Sequence, residues 1–175
     1  MFKLRFPKEN VEDWAERYGR YYDDSNVRRI GEASSKAGYL TREQLLEMAF
    51  WKARGRSQKS CRRNTESYVE EVTRVSFAAS EPRLKIEVLR IMDGVQWATA
   101  SVILHFCDSD RWPIIDVRAL WSLSQPDEGE NYNFALWWAY TLFTRDLAAE
   151  CKVTMRALDH ALWAYSKENQ RRKDR

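Results

Sequence analysis

The chain has 175 residues, of which 44% are hydrophobic and 31% are charged, and its formal net charge is +3. This balance excludes a disordered chain, and the length suffices for one compact core or for two small helical lobes. No apolar run approaches the ~20 residues of a membrane span, and the N-terminal sequence MFKLRF lacks the apolar core of a secretion signal, so we expect a cytoplasmic protein. Three scattered cysteines and two histidines predict reduced thiols, no metal site and no cofactor.

Helical periodicity runs through the first half of the chain. Apolar residues spaced by three and four predict a helix over 9–23, and a second helix over 26–36 is closed by Gly38. The sequence TREQ, which begins at Thr41, fits a capping box, and Asn64 is expected to cap a later helix. That later helix would turn four side chains toward the core: Tyr68, Val69, Val72 and Val75.

The second half of the chain has the same periodicity. The sequence SEP at 80–82 is typical of a helix start, and this helix runs to an Asp93-Gly94 turn. Further helices are predicted over 97–106, 116–123, 132–149 and 154–167, with a loop over 125–131. Only the N-terminal FKLRF could form a short edge strand, so the predicted fold class is all-α.

A basic segment, RGRSQKSCRR, follows the helix that begins near Thr41. It contains no acidic residue, and its five cations are Arg54, Arg56, Lys59, Arg62 and Arg63. Such a run is a solvated loop in many proteins, but an exposed basic loop also contacts phosphates. The composition leaves both interpretations open.

The sequence MDGVQW at 92–97 joins two predicted helices into a tight hairpin. Gly94 permits a left-handed backbone, and Val95 can anchor the turn in the core. The backbone amides of Val95, Gln96 and Trp97 would open the next helix, whose positive dipole end can bind an anion such as a phosphate. A simple C-cap at the glycine is the alternative interpretation.

Asp116 is a single carboxylate between the apolar run Pro113-Ile114-Ile115 and the helix that follows. Its position predicts a helix N-cap. A carboxylate bonded to helix amides is ionised and rigid, and an oxygen that faces a cleft could oppose a developing cation or orient a water. Glycosidic chemistry uses carboxylates in this way because its transition state resembles an oxocarbenium ion.

Residues 89–120 resemble the helix-hairpin-helix base-excision DNA glycosylases, the superfamily of endonuclease III. The resemblance is carried by GVxxATAxxIL and PIIDVRAL, and the later LDHALW is similar to small bacterial, monofunctional members. In this resemblance Gly94 matches the first hairpin glycine, Pro113 lies in the expected loop and Asp116 matches the catalytic carboxylate. It implies two helical lobes flanking a cleft in a single domain over 1–175, with the hairpin and catalytic aspartate in 81–124 and flanking helices in 1–80 and 125–175.

The sequence departs from the superfamily pattern in three places. Gln96 replaces the second hairpin glycine, which predicts weaker phosphate binding. Ala98 stands where bifunctional members carry a lysine, so the covalent Schiff-base route is closed and hydrolysis by water is expected. The four-cysteine iron–sulfur loop of some members is also missing, because only Cys151 lies near the C-terminal helices.

The resemblance implies a nucleoid-associated monomer that binds double-stranded DNA and flips a damaged or modified base into a pocket. The hairpin Gly94–Trp97 would hold a phosphate, Asp116 would stabilise positive charge on the sugar, and the basic segment would fill the gap left by the base. The expected base pocket in the N-terminal lobe comprises Trp51, Lys52, Asn64 and Tyr68. Alkylated, oxidised, mismatched, deaminated and hypermodified phage bases are all open as substrates, so repair and phage defence both remain.

Three functions compete on the sequence. The leading hypothesis is a monofunctional DNA glycosylase, and the second is a non-catalytic helix-hairpin-helix DNA-binding protein. The third is an all-α interaction domain whose aromatic surface meets a protein partner, since the chain contains eight tryptophans and eight tyrosines. Asp116 distinguishes the first two functions, and a steep salt dependence of binding distinguishes both of them from the third.

Overall fold

The computed structural model describes residues 2–55, 57–108, 112–125 and 131–171. These residues are helical with no β-strand, which confirms the predicted all-α class. The chain divides into two compact units, one of which is Asp24–Trp112 and the other of which combines Met1–Asp23 with Pro113–Arg175. The predicted segment 81–124 is therefore shared by the two units, and its hairpin and its aspartate lie in different ones.

The described residues form ten α-helices and two short 3-10 helices. The α-helices are α1 (Val11–Arg17), α2 (Ser25–Ala37), α3 (Arg42–Ala53), α4 (Gln58–Cys61), α5 (Glu66–Ala78), α6 (Pro82–Leu89), α7 (Trp97–Cys107), α8 (Val117–Ser122), α9 (Phe134–Cys151) and α10 (Met155–Asn169). The 3-10 helices, Lys8–Asn10 and Tyr18–Arg20, flank α1.

Several helix ends lie where local sequence predicts them. Gly38 ends α2 with a left-handed backbone at φ +79°, and its N–H donates to Ser34 O. The capping box of α3 is complete, because the Thr41 side chain accepts from Gln44 N–H while the Gln44 side chain accepts from Thr41 N–H. Glu81 caps α6, with Pro82 in the first turn as predicted.

The prediction for the start of α5 is wrong. Thr65, not Asn64, is the N-cap, and its hydroxyl accepts from Tyr68 N–H. The buried stripe of α5 consists of Val69, Val72, Thr73 and Ser76, and Tyr68 and Val75 lie beside it, 39% and 49% exposed instead of facing the core. Asn64 itself is buried and has a different role, described below.

The predicted helix over 9–23 is shorter and less regular than expected. It is an α-helix only over Val11–Arg17 and continues as the 3-10 helix Tyr18–Arg20. At the other end of the chain, α9 begins two residues later than predicted, because Asn133 caps it by accepting from Leu136 N–H.

The N-terminal FKLRF segment has no regular secondary structure and does not join a sheet. The backbone N–H groups of Lys3 and Arg5 donate to Leu123 O and Ser122 O, both at 3.0 Å. These carbonyls lie at the end of α8, where a helix leaves its last acceptors without partners inside the helix. The segment therefore caps a helix, and it does not form the short edge strand that its sequence allowed.

The central helix of the Asp24–Trp112 unit is α7, which packs against α2, α3 and α6. All of its residues except Ala98 and Phe106 are buried, including small side chains that let neighbouring helices approach. A helix that is buried nearly all around has no polar stripe, which is consistent with the apolar sequence of this segment.

In the unit that contains both chain ends, α10 packs against α1, α8 and α9. Trp137 and Tyr140 of α9 are fully buried there. The unit also buries an ion pair, in which the Arg156 guanidinium bonds the Asp159 carboxylate and reaches Tyr18 Oη at 3.4 Å. Each partner neutralises the charge of the other, because a buried charge without a partner would lower the stability of the fold.

A second buried cation, Lys85, joins three elements of the Asp24–Trp112 unit. Its side chain is 7% exposed, and Nζ donates to the carbonyls of Ser76 and Phe77 at the end of α5. The same Nζ lies 2.7 Å from the carboxylate of Asp108, which also accepts from Trp112 Nε1. The Lys85 ammonium thus bonds the carbonyls at the C-terminus of α5 and also a carboxylate just beyond the end of α7.

We predict that Lys85→Met lowers the free energy of unfolding by about 2–3 kcal/mol, because it removes the buried cation that bonds two carbonyls and a partly buried carboxylate. Urea denaturation measures the change. Arg83→Met is the matched control on the same helix, since it removes an exposed pair with Glu87 at 3.0 Å and should cost less than about 0.5 kcal/mol. Equal losses in both variants would contradict the role assigned to Lys85.

Candidate functional site

The hairpin turn between α6 and α7 has the backbone geometry that the sequence predicts. Gly94 adopts φ +80°, and Val95 is fully buried, which anchors the turn. The N–H of Val95 donates to Met92 O at 3.2 Å, so it is bonded inside the turn. In the part of the chain that the structure describes, the N–H groups of Gln96 and Trp97 have no acceptor, and α7 begins there without a side-chain cap. Of the three predicted phosphate donors, Gln96 N–H and Trp97 N–H are therefore open, whereas Val95 N–H is not.

The basic segment lies against this turn. A Cβ placed on Gly94 would lie 2.7 Å from Cys61 Sγ and 2.8 Å from both Cys61 N and Ser57 O. These atoms belong to the short helix α4 and the residue before it, and Cys61 is fully buried. The segment is therefore packed on the hairpin instead of forming a free loop. Because Gly94 has no side chain, α4 can approach the turn closely.

Asn64 fastens the basic segment to the turn. Its Nδ2 donates to Asp93 O and to Cys61 O, and its Oδ1 accepts from Asp93 N–H, all at 2.9 Å. The side chain is only 5% exposed, so these bonds hold the backbone on both sides of the contact. Arg63 adds an exposed two-bond pair with the Asp93 carboxylate at 3.1 and 3.3 Å. Asn64, predicted for a base pocket, uses both of its amide protons in this clamp.

The predicted cations next to the hairpin are exposed. Arg54, Lys59, Arg62 and Arg63 all have exposed side chains, and Arg56 lies outside the described residues. Arg54 ends α3 with a left-handed backbone at φ +46°. Arg63 is paired with Asp93, so part of its charge is neutralised within the protein.

Arg90 is a further cation at the hairpin that the sequence analysis missed. Its guanidinium carbon lies 4.3 Å from the centre of the Trp97 ring, at the first residue of α7. Its Nε is buried and has no hydrogen-bond partner among the described atoms. The available signal was its place just after α6, four residues before Gly94, but only the fold shows that it covers Trp97.

The other predicted pocket residues lie in the same unit as the hairpin, on α3 and α5. Trp51 and Lys52 are half-buried, and Trp51 packs edge-to-face on Phe106 with ring centres 5.5 Å apart. Tyr68 is exposed, and its hydroxyl donates to Ile91 O at 3.3 Å. The Trp51 ring thus lies at the end of α7, and the Tyr68 ring is bonded just beyond the end of α6. Their part in a base pocket stays a prediction.

Asp116, in the other unit, is held at a fixed position. The preceding Ile114 and Ile115 are 2% and 0% exposed, and Tyr140 Oη donates to Ile114 O at 3.0 Å. Asp116 Oδ1 accepts from Ala119 N–H at 2.8 Å, which confirms the predicted N-cap of α8. The residue is half-buried, so its carboxylate is positioned without being enclosed in the core.

The surroundings of Asp116 combine negative charge with aromatic rings. Burial raises the pKa of Tyr140 well above its ordinary value, and the charges of Asp159 and then Asp116 raise it further, so both acids lie near this phenol. Two residues after Asp116, the Arg118 guanidinium carbon lies 5.1 Å from the centre of the Trp163 ring. Arg118 also approaches Ser166 Oγ at 3.5 Å, so α10 orients this cation.

Comparison with known proteins adds no family assignment. No family model, no curated protein and no solved structure matches this chain. Among the described residues there is no group of three or more histidine, cysteine or acidic side chains that could hold a metal ion, and no helix long and apolar enough to cross a membrane. The chemistry of the two sites therefore carries the functional argument.

The contact between α4 and the hairpin predicts that Gly94→Ala is unusually destabilising. Gly38→Ala is the matched control, because Gly38 has nearly the same φ but no atom within 4 Å of an added Cβ. The control should cost about 1–2 kcal/mol for its left-handed backbone alone. Gly94→Ala should cost about 1–3 kcal/mol more because the methyl group collides with backbone atoms. Thermal and urea unfolding measure both, and equal losses would contradict the close approach.

Proposed function

We propose that this chain is a monofunctional DNA glycosylase, which hydrolyses the N-glycosidic bond of a flipped, damaged or modified base and leaves an abasic site. The observation that carries the proposal is the placement of Asp116. Its carboxylate is bonded to a helix N-terminus and follows two buried isoleucines, so its position is fixed while the residue stays half-exposed. A rigid carboxylate of this kind suits a reaction that develops positive charge.

In the proposed reaction the bond between sugar C1′ and the base nitrogen breaks, and its electron pair leaves with the base. Positive charge spreads over C1′ and the ring oxygen, and the negative charge of Asp116 stabilises it. A water molecule adds its oxygen to C1′, and its proton ends on the departing base. No covalent intermediate with the protein is required.

The hairpin supports the proposed binding of DNA by supplying phosphate donors. The open N–H groups of Gln96 and Trp97 lie at the start of α7, where the helix dipole favours an anion. Arg90 covers Trp97, and the exposed Arg54, Lys59 and Arg62 lie on or beside the segment that packs on the turn. We propose that these cations offset the absence of a second hairpin glycine at Gln96.

Ala98 supports hydrolysis over strand cleavage. It lies in the first turn of α7 and carries no amine, so it cannot form the Schiff base that a lysine at this position would form. The expected product is therefore an intact strand with an abasic site.

We predict that Asp116→Asn abolishes formation of abasic sites but retains the fold and the binding of DNA. Asparagine also caps helices well, so the structural bond to Ala119 N–H is kept while the charge is lost. The measurement uses a panel of duplexes with damaged and phage-modified bases, followed by alkali and analysis of strand length. The expected result for the wild type is breaks that form only after alkali.

The control for this variant is Asp146→Asn, which neutralises an exposed acid on α9 in the same unit. It should excise the base at the wild-type rate. Equal excision by Asp116→Asn and the wild type would remove Asp116 from the mechanism, and breaks that form without alkali would contradict the conclusion drawn from Ala98.

A second candidate function, DNA binding without catalysis, is favoured by one observation. The open amides of the turn and the cations around it all belong to the Asp24–Trp112 unit, which does not contain Asp116. Phosphate binding at the hairpin therefore requires no residue of the proposed catalytic site. The excision assay decides between the two functions.

For the hairpin we predict that Arg62→Ala weakens binding of duplex DNA about five-fold at 0.15 M salt and reduces the salt slope by about 0.9, the value of one lost phosphate contact. Arg29→Ala is the matched control, because Arg29 is exposed on α2 of the same unit but is not part of the basic segment. Fluorescence anisotropy over a salt series measures both variants. An equal loss in both would show that only the overall charge matters.

A further inference from the structure

Cations and aromatic rings form a continuous stripe in the unit that contains both chain ends. The members, here called the cation–aromatic stripe, are Arg5, Trp14, Arg17, Tyr21, Trp121, Tyr165 and Lys167. Three of them are exposed, namely Arg5, Tyr21 and Lys167, and the other four are half-buried. The stripe is built by residues far apart in sequence and therefore could not be recognised from any single segment.

One end of the stripe lies on α8, the helix that Asp116 caps. The Arg5 guanidinium carbon lies 4.3 Å from the centre of the Trp121 ring, and Arg5 Nε bonds the Trp121 carbonyl. Trp121 stacks on Tyr165 of α10 with ring centres 5.8 Å apart. Trp14 of α1 then packs edge-to-face on Tyr165 at 5.1 Å. Each ring is thus fixed by its neighbours.

The other end of the stripe lies where α1 and α10 meet. The Arg17 guanidinium carbon lies 4.2 Å from the Trp14 ring centre, and Lys167 Nζ lies 5.9 Å from that of Tyr21. Glu168 lies among these side chains, since it accepts from Arg17 at 3.0 Å and from Tyr21 Oη at 2.9 Å. Among the described residues the stripe thus has three cations and one carboxylate bonded to it, while α1 also carries the exposed acids Glu12, Asp13 and Glu16.

Cations placed on aromatic rings are well suited to bind phosphates. A guanidinium stacked on a ring keeps its N–H donors in its own plane, and these donors match the oxygens of a phosphate. The stacking also orders a side chain that would otherwise lose rotamer freedom on binding. Arg5 and Arg17 each use some of their N–H donors within the protein. A guanidinium has five such donors, so others are left for a phosphate.

We propose that the cation–aromatic stripe binds backbone phosphates of DNA and forms a second nucleic-acid contact, separate from the hairpin. The proposal rests on the proposed function in taking DNA as the partner. Its connection to the catalytic residue is the helix α8, since Trp121 lies on the helix that Asp116 caps. Arg118 of the same helix lies over the Trp163 ring, and the centre of that ring is 5.8 Å from the centre of the Tyr21 ring in the stripe. A strand bound along the stripe therefore leads toward Asp116.

The test measures binding of the full chain to an undamaged fluorescent duplex by anisotropy over a salt series. Arg17→Ala and Lys167→Ala should each weaken binding about five-fold at 0.15 M salt and lower the salt slope by about 0.9. Glu168→Gln should tighten binding by a similar factor, because it removes the acid among the cations. A gain of affinity cannot arise from misfolding, so this variant keeps the proposal falsifiable.

Two matched controls separate phosphate binding from structural effects. Arg74→Ala removes a cation of the other unit that lies 4.5 Å from the Tyr39 ring centre, and Glu150→Gln removes a surface acid paired with Lys8. Neither should change the affinity for DNA. An unchanged affinity in Arg17→Ala, Lys167→Ala and Glu168→Gln would overturn the proposal. This is also the outcome expected if the stripe docks a protein instead of DNA.

The outcome for the stripe is separable from that for the glycosylase. If the stripe variants change the affinity for DNA while no base is excised from any duplex, the phosphate contact stands and the catalytic proposal fails. If Asp116-dependent excision is observed while the stripe variants bind DNA normally, the catalytic proposal stands and the stripe is structural.

Discussion

The hydrogen bond from Ala119 N–H to Asp116 Oδ1 is the interaction on which the functional account depends. At 2.8 Å it fixes one carboxylate oxygen at the N-terminus of α8, where the helix dipole stabilises negative charge. The chain leading to it is held as well, because Ile114 and Ile115 are buried and Tyr140 bonds the Ile114 carbonyl. A charge that is positioned before the reaction needs no reorganisation when a cation develops beside it, and this preorganisation is what a glycosidic bond cleavage requires.

The hairpin is also held in position in advance, but by packing contacts instead of by a helix cap. Gly94 provides the backbone conformation of the turn and also the space that α4 occupies. Asn64 then locks the basic segment to the turn with three bonds, so the cations of that segment are carried by an ordered surface. The stripe in the other unit orders its cations differently, by laying them on aromatic rings. In each case ordering lowers the entropy that binding a phosphate strand would otherwise cost.

Features set by neighbouring residues could be predicted from the sequence, whereas features set by distant contacts could not. The capping box at Thr41, the left-handed Gly38 and the N-cap at Asp116 depend only on the residues beside them. Asn64 resembles a cap in sequence, but contacts with Asp93 and Cys61 claim its side chain and leave the cap to Thr65. The place of Arg90 over Trp97 and the stripe itself likewise follow from packing, which periodicity does not encode.

The most direct test of the central claim compares two duplexes that lack the base and so avoids the question of which base is removed. One carries a cationic pyrrolidine ring in place of the sugar, as a mimic of the charged transition state, and the other carries a neutral tetrahydrofuran ring of the same shape. The wild type should bind the cationic duplex at least about ten-fold more tightly, since transition-state mimics bind more strongly than ground-state analogues. Asp116→Asn should lose that preference. The same preference in both proteins would show that Asp116 does not oppose a charge at the sugar.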